Sequence, residues 1–526
     1  MAMKMSRRCR ALLQAPFKET AAYACGTTAI SVNKTGEWRF LTPERQFRQS
    51  PCRQGCLLQG EVPSWLDAVK RGRWEEAWQI MSHNNPFPAL TGYVCFNPCQ
   101  ENCNRDQLDQ GIAIREVEKA IGEWRLKNYE PSKAIMKKKR KIAVIGSGPA
   151  GLSCAYYLTQ AGYMVTVYER SAQLGGMLAL GIPEYRLPHR ILKRELEILS
   201  SEGVVFKTNT SLGSDLVLND LYQVYDQVFL ATGAWIPRMS GLPGEDSDHV
   251  YNALDFLSNY NTGVLQKLGS SVVVVGGGNA AIDSARTALR VNGVHHVTLL
   301  YRRSRLEMPA DQSEVEAAER EGVELIFNVL PRSIETKGGR VKGVTVDHSR
   351  TDRYGLLVDS STSFCRECDS VIMALGQLAD YSLFGTLASK QTLFAGGDLI
   401  SGPATVPEAI RAGRLAAMAI RSVYEDFEVC EQEILAGEVV SFEALNLAAK
   451  VNLELQQKEA EPQREAERCL GCGTCNSCGI CYLFCPDVAV DQVDGKFEVN
   501  LDYCKGCGIC VKECPAQAMV MKGGGR

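Results

Sequence analysis

The pattern of apolar and polar positions predicts two strand–turn–helix units in the middle of the chain. Apolar runs of four residues begin at positions 142 and 272, and each is followed at once by a glycine-rich turn and a helical pattern. Short apolar runs bounded by glycines are typical of buried strands. A further apolar run at 165–168 follows the first helix. We therefore predict two Rossmann-like domains, with the second nested inside the first.

Residues 50–135 have helical spacing, with cysteines at the turns. VPSWLDAVKRGRWEEAWQIM places apolar residues on one helical face, which predicts core packing and not cofactor contacts for its tryptophans. The predicted core positions are Trp65, Leu66, Val69, Trp74, Ala77 and Trp78. Residues 1–40 have no regular pattern of apolar and polar positions. The pattern over residues 430–468 predicts helices and a polar connector.

The first glycine turn has the features of a dinucleotide site. KIAVIGSGPAGLSCAYYL at 141–158 supplies a strand, a GxGxxG turn and a helix, and Glu169 ends the next apolar run about 20 residues on. Such a helix N-terminus binds a pyrophosphate, and the carboxylate can hold a ribose hydroxyl. A merely structural glycine turn is the alternative. The predicted contacts here are Gly146, Gly148, Pro149, Ala150, Gly151, Glu169 and Arg170.

The second glycine turn predicts a second dinucleotide site. SVVVVGGGNAAIDSARTA at 271–288 repeats the pattern, but the following strand ends in Arg302 and Arg303. Two guanidinium groups can clamp a 2′-phosphate, which an acidic residue would repel. We therefore predict NADP(H) in preference to NAD(H), with solvated arginines as the alternative. The other predicted contacts are Gly276, Gly278, Asn279, Ala280, Ala281, Ile282, Ala374, Leu375 and Gly376.

Composition excludes several classes of partner. The chain has 526 residues, 45% of them apolar, and a net charge of −3, so neither a nucleic acid nor another polyanion is predicted. No apolar run approaches about 18 residues, the length of a membrane span. The basic N-terminus has too short an apolar part for a signal peptide. We therefore expect a cytoplasmic protein without a membrane partner.

Cysteine usage indicates iron–sulfur clusters. The chain has 21 cysteines, most of them two or three residues apart, which in a reducing compartment indicates metal ligation. CNSCGICYLFCP and CKGCGICVKECP are two CxxCxxCxxxCP runs, the pattern of two-cluster bacterial ferredoxins, in which the fourth cysteine of each run binds the other cluster. A zinc ribbon would need only four thiolates. The predicted ligand sets are Cys475, Cys478, Cys481 and Cys514, and Cys485, Cys504, Cys507 and Cys510.

Several phrases resemble known flavoproteins. NPFPALTGYVCFNPCQENCNR, GGMLALGIPEYRLP, FLATGAW, GGGNAAIDSAR and FAGGDLISGPATVPEAI are similar to the small subunit of bacterial glutamate synthase and to the N-terminal half of dihydropyrimidine dehydrogenase, over roughly residues 50–425. The resemblance implies a helical iron–sulfur domain followed by FAD and nicotinamide domains. It implies further FAD contacts at Gly175, Gly176, Met177, Arg186, Leu212, Ala231, Thr232, Gly233, Gly397, Asp398 and Thr405.

The same resemblance implies two clusters in the helical domain. One would use Cys56, Cys95, Cys99 and Glu118; the other would use Cys52 and Cys103 with a cysteine pair that the family places upstream, in a phrase like EAxRCLxC. This chain has that phrase near its C-terminus, as REAERCLGC with Cys469 and Cys472. We hypothesise that this pair folds back, giving four 4Fe–4S clusters in all. The alternative is one helical-domain cluster, bound by Cys56, Cys95, Cys99 and Cys103.

The predicted fold is multidomain, α+β and α/β. The expected domains are an N-terminal extension (1–45), a helical iron–sulfur domain (46–136), an FAD-binding domain (137–262 and 371–428), an NAD(P)-binding domain (263–370), a helical linker (429–468) and a bacterial-type ferredoxin domain (469–526). KKKRK at 137–141 is interpreted as a solvated linker. Cys365 and Cys368 are predicted in a surface loop, and Cys9, Cys25, Cys154 and Cys430 as ordinary thiols.

These parts predict an electron-transfer flavoprotein. A nicotinamide delivers two electrons as a hydride, whereas a cluster carries one at a time, so FAD is expected to lie between them and to convert one into the other. Hydride transfer itself needs no catalytic side chain, because positioning the nicotinamide against the flavin suffices. TGEWRF at 35–40 resembles a segment of the small delta subunit of 2-oxoacid:ferredoxin oxidoreductases, although it could be a tryptophan anchoring a loop. The expected partners are thiamine-dependent 2-oxoacid oxidoreductase subunits in a hetero-oligomer. The alternatives are a free-standing NADPH:ferredoxin oxidoreductase, a glutamate synthase small subunit and a non-catalytic electron wire.

Overall fold

The structure is a computed structural model that describes residues 35–46, 48–131, 138–264, 267–352, 355–382, 393–425, 438–449, 461–493 and 496–523. Cys9, Cys25 and Cys430 lie outside the described residues, as do most of the predicted N-terminal extension and part of the predicted linker. The chain divides into two compact units. The first takes residues 1–84, 97–124 and 430–526, and the second takes residues 85–96 and 125–429.

Short helices dominate the described residues from 35 to 131. Many of them have a proline in the first turn, where its missing N–H costs no hydrogen bond. The elements are β1 (Leu41–Arg45), α1 (Pro51–Gly55), α2 (Val62–Lys70), α3 (Trp74–Ser82), α4 (Pro88–Val94), α5 (Pro98–Glu101) and α6 (Ile114–Lys127), with 3₁₀ turns at Thr35–Trp38 and Asn104–Gln107.

Strands and helices alternate from residue 141. The elements are β2 (Lys141–Ile145), α7 (Pro149–Gln160), β3 (Met164–Tyr168), α8 (Met177–Leu180), α9 (His189–Ser201), β4 (Val205–Lys207), α10 (Leu218–Val224), β5 (Gln227–Leu230), β6 (Ala234–Pro237), β7 (Val250–Asn252), α11 (Ala253–Asn261), β8 (Ser271–Val275), α12 (Asn279–Ala288) and β9 (His296–Tyr301). A 3₁₀ turn follows at Arg305–Glu307.

The remaining elements complete both units. They are α13 (Gln312–Arg320), β10 (Glu324–Phe327), β11 (Val329–Lys337), β12 (Arg340–Asp352), β13 (Gly355–Glu367), β14 (Ser370–Met373), β15 (Gln377–Ala379), β16 (Leu393–Ala395), α14 (Asp398–Ser401), α15 (Val406–Ser422), α16 (Pro462–Glu467), α17 (Ile480–Phe484), β17 (Val490–Val493), β18 (Lys496–Val499), α18 (Ile509–Lys512) and β19 (Met519–Gly523), with a 3₁₀ turn at Leu447–Ala449.

The first unit has a helical core to which the C-terminal part of the chain contributes. Trp65 and Trp78 are buried in this core and Trp74 packs against it, which confirms the prediction that they are core residues. Ala466 of α16 is buried in the same core. Residues 462–467 therefore belong to the helical domain, and not to the linker predicted over 429–468.

The ferredoxin domain in this unit includes a strand from the N-terminal region. β1 pairs antiparallel with β19, from Leu41 opposite Gly523 to Arg45 opposite Met519. The extension predicted over 1–45 thus ends as a strand of the last domain, which local sequence pattern did not indicate. Trp38 is 61% exposed, so the alternative that it anchors a loop on a core is wrong.

The second unit contains two five-stranded parallel sheets. Their orders are β16-β5-β2-β3-β4 and β10-β9-β8-β14-β7, which confirms the two nested Rossmann-like domains. β7 and β14 both belong to the second sheet, so the NAD(P) domain extends beyond the predicted limits of 263 and 370. β6 and β15 form an antiparallel pair. β6 lies where the chain leaves the first sheet for the second, and β15 lies where it returns. Residues 85–96 also group with this unit and not with the helical domain predicted over 46–136.

The strands β11-β12-β13 form an antiparallel sheet beside the second Rossmann-like domain. Cys365 lies in β13 and is exposed, whereas Cys368 is buried and burial raises its thiol pKa to about 12. The surface loop predicted for this CREC pair is therefore wrong. No helix in the described ranges is long and apolar enough to cross a membrane.

Candidate functional site

A cavity of about 930 Å³ lies at the carboxyl ends of the first parallel sheet. Its lining includes Ile145 and Tyr168, which end β2 and β3, and Ala231, which follows β5, and this edge is where ligands bind in open parallel sheets. Most of the predicted FAD contacts line it. They are Gly146, Gly148, Pro149, Ala150, Glu169, Arg170, Gly176, Met177, Leu212, Ala231, Thr232, Gly233, Gly397, Asp398 and Thr405.

Glu169 is fixed in the cavity wall by three hydrogen bonds. Its Oε2 accepts bonds from the backbone N–H of Ser147 at 3.0 Å and from the Ser147 hydroxyl at 2.6 Å, and its Oε1 accepts one from the Ser171 N–H at 2.9 Å. The side chain is buried, so these bonds offset the desolvation of its charge. Lone pairs that remain on the two oxygens can accept ribose hydroxyls, as the sequence predicts.

Asp398 and the start of α15 also line the cavity. Burial raises the pKa of Asp398 to about 6, against a hydrogen bond from the Ala404 N–H at 3.3 Å that lowers it. Thr405 and Glu408 form a capping box at the helix N-terminus, which lines the cavity. A carboxylate with so few donors favours a ligand that brings hydroxyl groups, and the helix end favours negative charge.

Three predicted FAD contacts lie away from the cavity lining. Gly151 packs so tightly that an added Cβ would be 2.0 Å from the Gly146 carbonyl oxygen, and Gly175 packs on Leu192. The Arg186 guanidinium binds the Asp283 carboxylate at 2.7 Å and lies over the Phe96 ring. The structure therefore gives Arg186 a role in an ion pair, and not at the cavity surface.

Trp235 and Ser147 were not among the predicted FAD contacts, although the structure places Trp235 in the cavity lining and Ser147 against Glu169. Trp235 lines the cavity, its indole N–H donates to the Thr232 carbonyl at 2.8 Å, and the Arg170 guanidinium lies 4.4 Å from its ring. The phrase ATGAW, which places an aromatic residue just after a strand end, was a usable signal. Ser147 gave no signal, because its role depends on meeting Glu169.

The second glycine turn opens α12, as predicted, with Gly278 as the N-cap. A Cβ on Gly276 would lie 2.4 Å from the Ala374 carbonyl oxygen, so Ala374 lies against this turn, and nucleotide contacts by Leu375 and Gly376 stay a prediction. Asn279 accepts a hydrogen bond from the Asp311 N–H. Ala281 and Ile282 are buried in the hydrophobic core, so only their backbone can face a nucleotide.

Arg302 and Arg303 follow β9, where a 2′-phosphate would be recognised. Within the described residues neither guanidinium forms an ion pair, and the Nε of Arg303 is buried without a hydrogen-bond partner. The neighbouring Arg305 is different, since it binds both oxygens of Glu319 at 2.6 Å. Arg302 and Arg303 thus keep donors for a ligand, and Arg305 does not.

The ferredoxin-domain cysteines form two thiol groups with the predicted membership. Cys475, Cys478, Cys481 and Cys514 line one small cavity, and burial, together with the neighbouring thiols, raises the pKa of Cys481 to about 12. Burial also raises the pKa of Cys510 to about 11, and its neighbouring thiols are Cys504, Cys485 and Cys507. Cluster ligation by these groups stays a prediction.

A third thiol group joins the helical domain to the displaced pair. Burial raises the pKa of Cys52 well above its ordinary value, and Cys469, Cys103 and Cys472 lie near enough to raise it further. The four sulfurs of the predicted back-folded site are thus neighbours in the first unit. Asn104 donates to the Cys472 sulfur at 3.5 Å.

The last predicted ligand set is Cys56, Cys95, Cys99 and Glu118. Of these, the structure shows Cys56 and Glu118 as neighbours. Burial raises the pKa of Cys56, with Glu118 near enough to raise it further. Cys99 lies in the same unit, and Cys95 belongs to the other unit, so its place in this set stays a prediction. In the described ranges no group of three or more His, Cys, Asp or Glu residues is arranged to hold a single metal ion. Ligands of a cubane bind four separate irons and need not converge on one point.

Comparison with known proteins agrees with this geometry. The family model "pyridine nucleotide-disulphide oxidoreductase" matches residues 140–413, just over half of the chain. This chain belongs to that family. Two further models match: "dihydropyrimidine dehydrogenase domain II, 4Fe-4S cluster" over residues 45–130 and "4Fe-4S binding domain" over residues 496–519. The pyridine nucleotide-disulphide oxidoreductase domain is thus flanked by iron–sulfur segments.

Three curated relatives are similar to most of this chain. The beta subunit of the NADPH-Fe(3+) oxidoreductase of Geobacter sulfurreducens is 33% identical over 80% of this chain and 75% of its own length. The small chain of glutamate synthase [NADPH] of Escherichia coli is 34% identical over 71% and 88%. The beta subunit of the NADP(+)-dependent formate dehydrogenase of Moorella thermoacetica is 36% identical over 72%, but the match spans only 60% of that relative.

These matches confirm the resemblance to the glutamate synthase small subunit and to dihydropyrimidine dehydrogenase. The protein is therefore an oxidoreductase with FAD and nicotinamide dinucleotide sites and with 4Fe–4S clusters. The large cavity with its fixed carboxylate fits FAD, and the thiol groups fit cubanes in donor type and number.

Proposed function

We propose that the protein is the electron-transfer subunit of a hetero-oligomeric oxidoreductase, passing electrons between NADP(H), FAD and four 4Fe–4S clusters. The observation that carries this proposal is that Cys472 and Cys475 belong to different thiol groups. Three residues of chain keep their Cα atoms within about 11 Å. Clusters in the helical and ferredoxin domains would therefore be near neighbours, and electrons would have a continuous path through the first unit.

The residues of the chain hold and orient the cofactors. FAD supplies the conversion between a hydride and single electrons when it is bound. Glu169 accepts ribose hydroxyls, the α7 and α15 N-termini favour phosphate or flavin negative charge, and Asp398 accepts hydroxyls. No acid or base among these residues is needed, because positioning the nicotinamide against the flavin suffices.

Anaerobic reduction by NADPH tests the proposal. We expect flavin bleaching on mixing, followed by loss of the iron–sulfur absorbance as electrons leave the flavin one at a time. A chain that is a non-catalytic wire would show no bleaching with either NADPH or NADH. Purification of the protein as a single active chain that passes electrons from NADPH to added soluble ferredoxin would favour a free-standing NADPH:ferredoxin oxidoreductase.

Arg302 and Arg303 are expected to set the preference for NADPH. A hydrogen bond to a charged group is worth about 1.5–3 kcal/mol, so replacing either residue by alanine should lower kcat/KM for NADPH about 10- to 100-fold. The value of kcat/KM for NADH should change little in the same variants. Arg305→Ala is the matched control, because Arg305 is already held by Glu319. Equal losses for NADPH and NADH in the two variants would contradict a phosphate role.

The partner proposed first is a thiamine-dependent 2-oxoacid oxidoreductase. Its support is the resemblance of TGEWRF and the attached ferredoxin domain. The beta-subunit relatives support a hetero-oligomer, although their names point to formate and Fe(3+). Identifying the subunits that co-purify under anaerobic conditions, and assaying NADP⁺ reduction with a 2-oxoacid and with formate, separates these partners. Co-purification with a glutaminase subunit would favour glutamate synthase.

A further inference from the structure

A buried network of charges fixes the displaced cysteine pair against the helical domain. Arg468, just before Cys469, binds Glu465 at 2.7 Å and Asp109 at 3.2 Å, and its side chain is fully buried. Arg105 donates to the Arg468 carbonyl at 3.0 Å and to Asp109 at 2.7 Å. These contacts link Arg468, and so the residue just before Cys469, to Arg105 and Asp109 of the helical domain.

Two polar side chains from the helical domain reach the sulfurs of this site. The Ser50 hydroxyl oxygen lies 3.2 Å from the sulfur of Cys52. The same oxygen caps α1 by accepting the Arg53 N–H at 3.3 Å. That bond uses a lone pair and leaves the single hydroxyl proton. Since a metal-bound Cys52 has no proton of its own, Ser50 must be the donor to its sulfur.

Asn104 has two amide protons and two acceptors. Its Nδ2 donates to the Val440 carbonyl at 2.9 Å and to the Cys472 sulfur at 3.5 Å, and the side chain is buried. The bond to Val440 fixes the orientation of the amide. The second N–H is therefore directed at the sulfur.

We propose that Ser50 and Asn104 raise the reduction potential of the cluster bound by Cys52, Cys103, Cys469 and Cys472. Reduction adds one electron to the cluster and breaks no bond. The added negative charge is shared with the thiolate sulfurs, so hydrogen bonds to these sulfurs stabilise the reduced form more than the oxidised form. In a buried site such bonds have a larger effect than in water. The inference rests on the ligand assignment in the proposed function.

The test is an anaerobic redox titration of the full-length holoprotein, followed by EPR. Cys472→Ala identifies the signal of this cluster by its loss. In Ser50→Ala and Asn104→Leu we expect the ratio of reduced to oxidised cluster at a fixed potential to fall about three- to tenfold. For a one-electron couple this is a shift of about 28–59 mV to more negative potential. The signals of the other clusters should not move.

Two further variants separate tuning from loss of structure. Ser50→Thr keeps the hydroxyl and the cap, so it should keep the wild-type potential. Ser82→Ala removes a half-buried serine whose hydroxyl donates to the Gln79 carbonyl in the same domain, and should change no signal. If Cys472→Ala removes a signal whose potential both substitutions leave unchanged, the inference is overturned. If Cys472→Ala removes no signal, the ligand assignment itself fails.

Discussion

Cys472→Ala is expected to cost the protein one whole cluster. Iron should fall from about 16 to about 12 atoms per chain, with a matching loss of acid-labile sulfide. The physical reason is that Cys472 is buried beside Cys52 and hydrogen-bonded by Asn104, so no water or other side chain can easily replace its sulfur. Iron and sulfide analysis of anaerobically purified protein gives the measurement.

Electron transfer should fail in the same variant. If Cys472 and Cys475 bind neighbouring clusters, as proposed, loss of the first cluster breaks the path between the helical and ferredoxin domains. NADPH should still bleach the flavin, whereas the ferredoxin-domain clusters should stay oxidised on the time scale of turnover. Stopped-flow spectra of the variant and the wild type separate these two phases.

Cys154→Ala is the matched control for this substitution. Cys154 is also fully buried, but it lies on α7 of the second unit and belongs to none of the thiol groups. Its removal should leave iron content and cluster reduction unchanged. A wild-type content near 12 iron atoms, unchanged in Cys472→Ala, would instead favour the single helical-domain cluster. That alternative takes Cys103 as a ligand beside Cys56, whereas Cys103 lies near Cys52, Cys469 and Cys472 in the structure.

Features that depend on contiguous residues were predicted well from sequence. Each glycine turn is a local unit, in which a strand, a turn and a helix follow one another, and both were found as predicted. The membership of the two ferredoxin thiol groups was predictable because the spacing CxxCxxCxxxCP determines which thiols meet, and their ligation of clusters stays a prediction. The back-folded pair was predicted from the phrase REAERCLGC and from the count of ligands, and the local sequence does not show where in the fold the pair would lie.

Features that depend on distant residues were missed. Nothing near residue 41 indicates that β1 pairs with β19, because the register is decided by a partner almost 500 residues away. β7 and β14 are runs of three and four residues, too short to show which sheet they join. Arg186 was assigned to the flavin because its phrase resembles the family, and its ion pair with Asp283 depends on the packing of one domain on the other.

Gly148→Val and Gly278→Val should separate the two nucleotide sites. Gly148 and Gly278 are the N-caps of α7 and α12, and both have extended backbone that valine adopts. An added Cβ meets no protein atom within 4 Å at either position, so the fold tolerates the side chain. What it fills is the space that a pyrophosphate needs at the helix N-terminus.

The two variants should lose different cofactors. Overlap with a bound group costs about 1–3 kcal/mol or more, so affinity should fall at least about 5- to 150-fold. Gly148→Val should bind FAD weakly and be purified pale yellow or without flavin. Gly278→Val should keep its FAD, but NADPH should no longer bleach it at low concentration. Flavin content, titration of the apoprotein with FAD and anaerobic bleaching by NADPH measure both effects.

Gly523→Val is the matched control, since an added Cβ at the end of β19 also meets nothing within 4 Å and lies in the other unit. Full flavin occupancy in Gly148→Val would remove the pyrophosphate role of the first turn. Wild-type bleaching in Gly278→Val would mean that NADPH reduces the flavin without the second turn. Arg302 and Arg303 argue against this outcome, because within the described residues neither guanidinium forms an ion pair and both can bind a nucleotide phosphate.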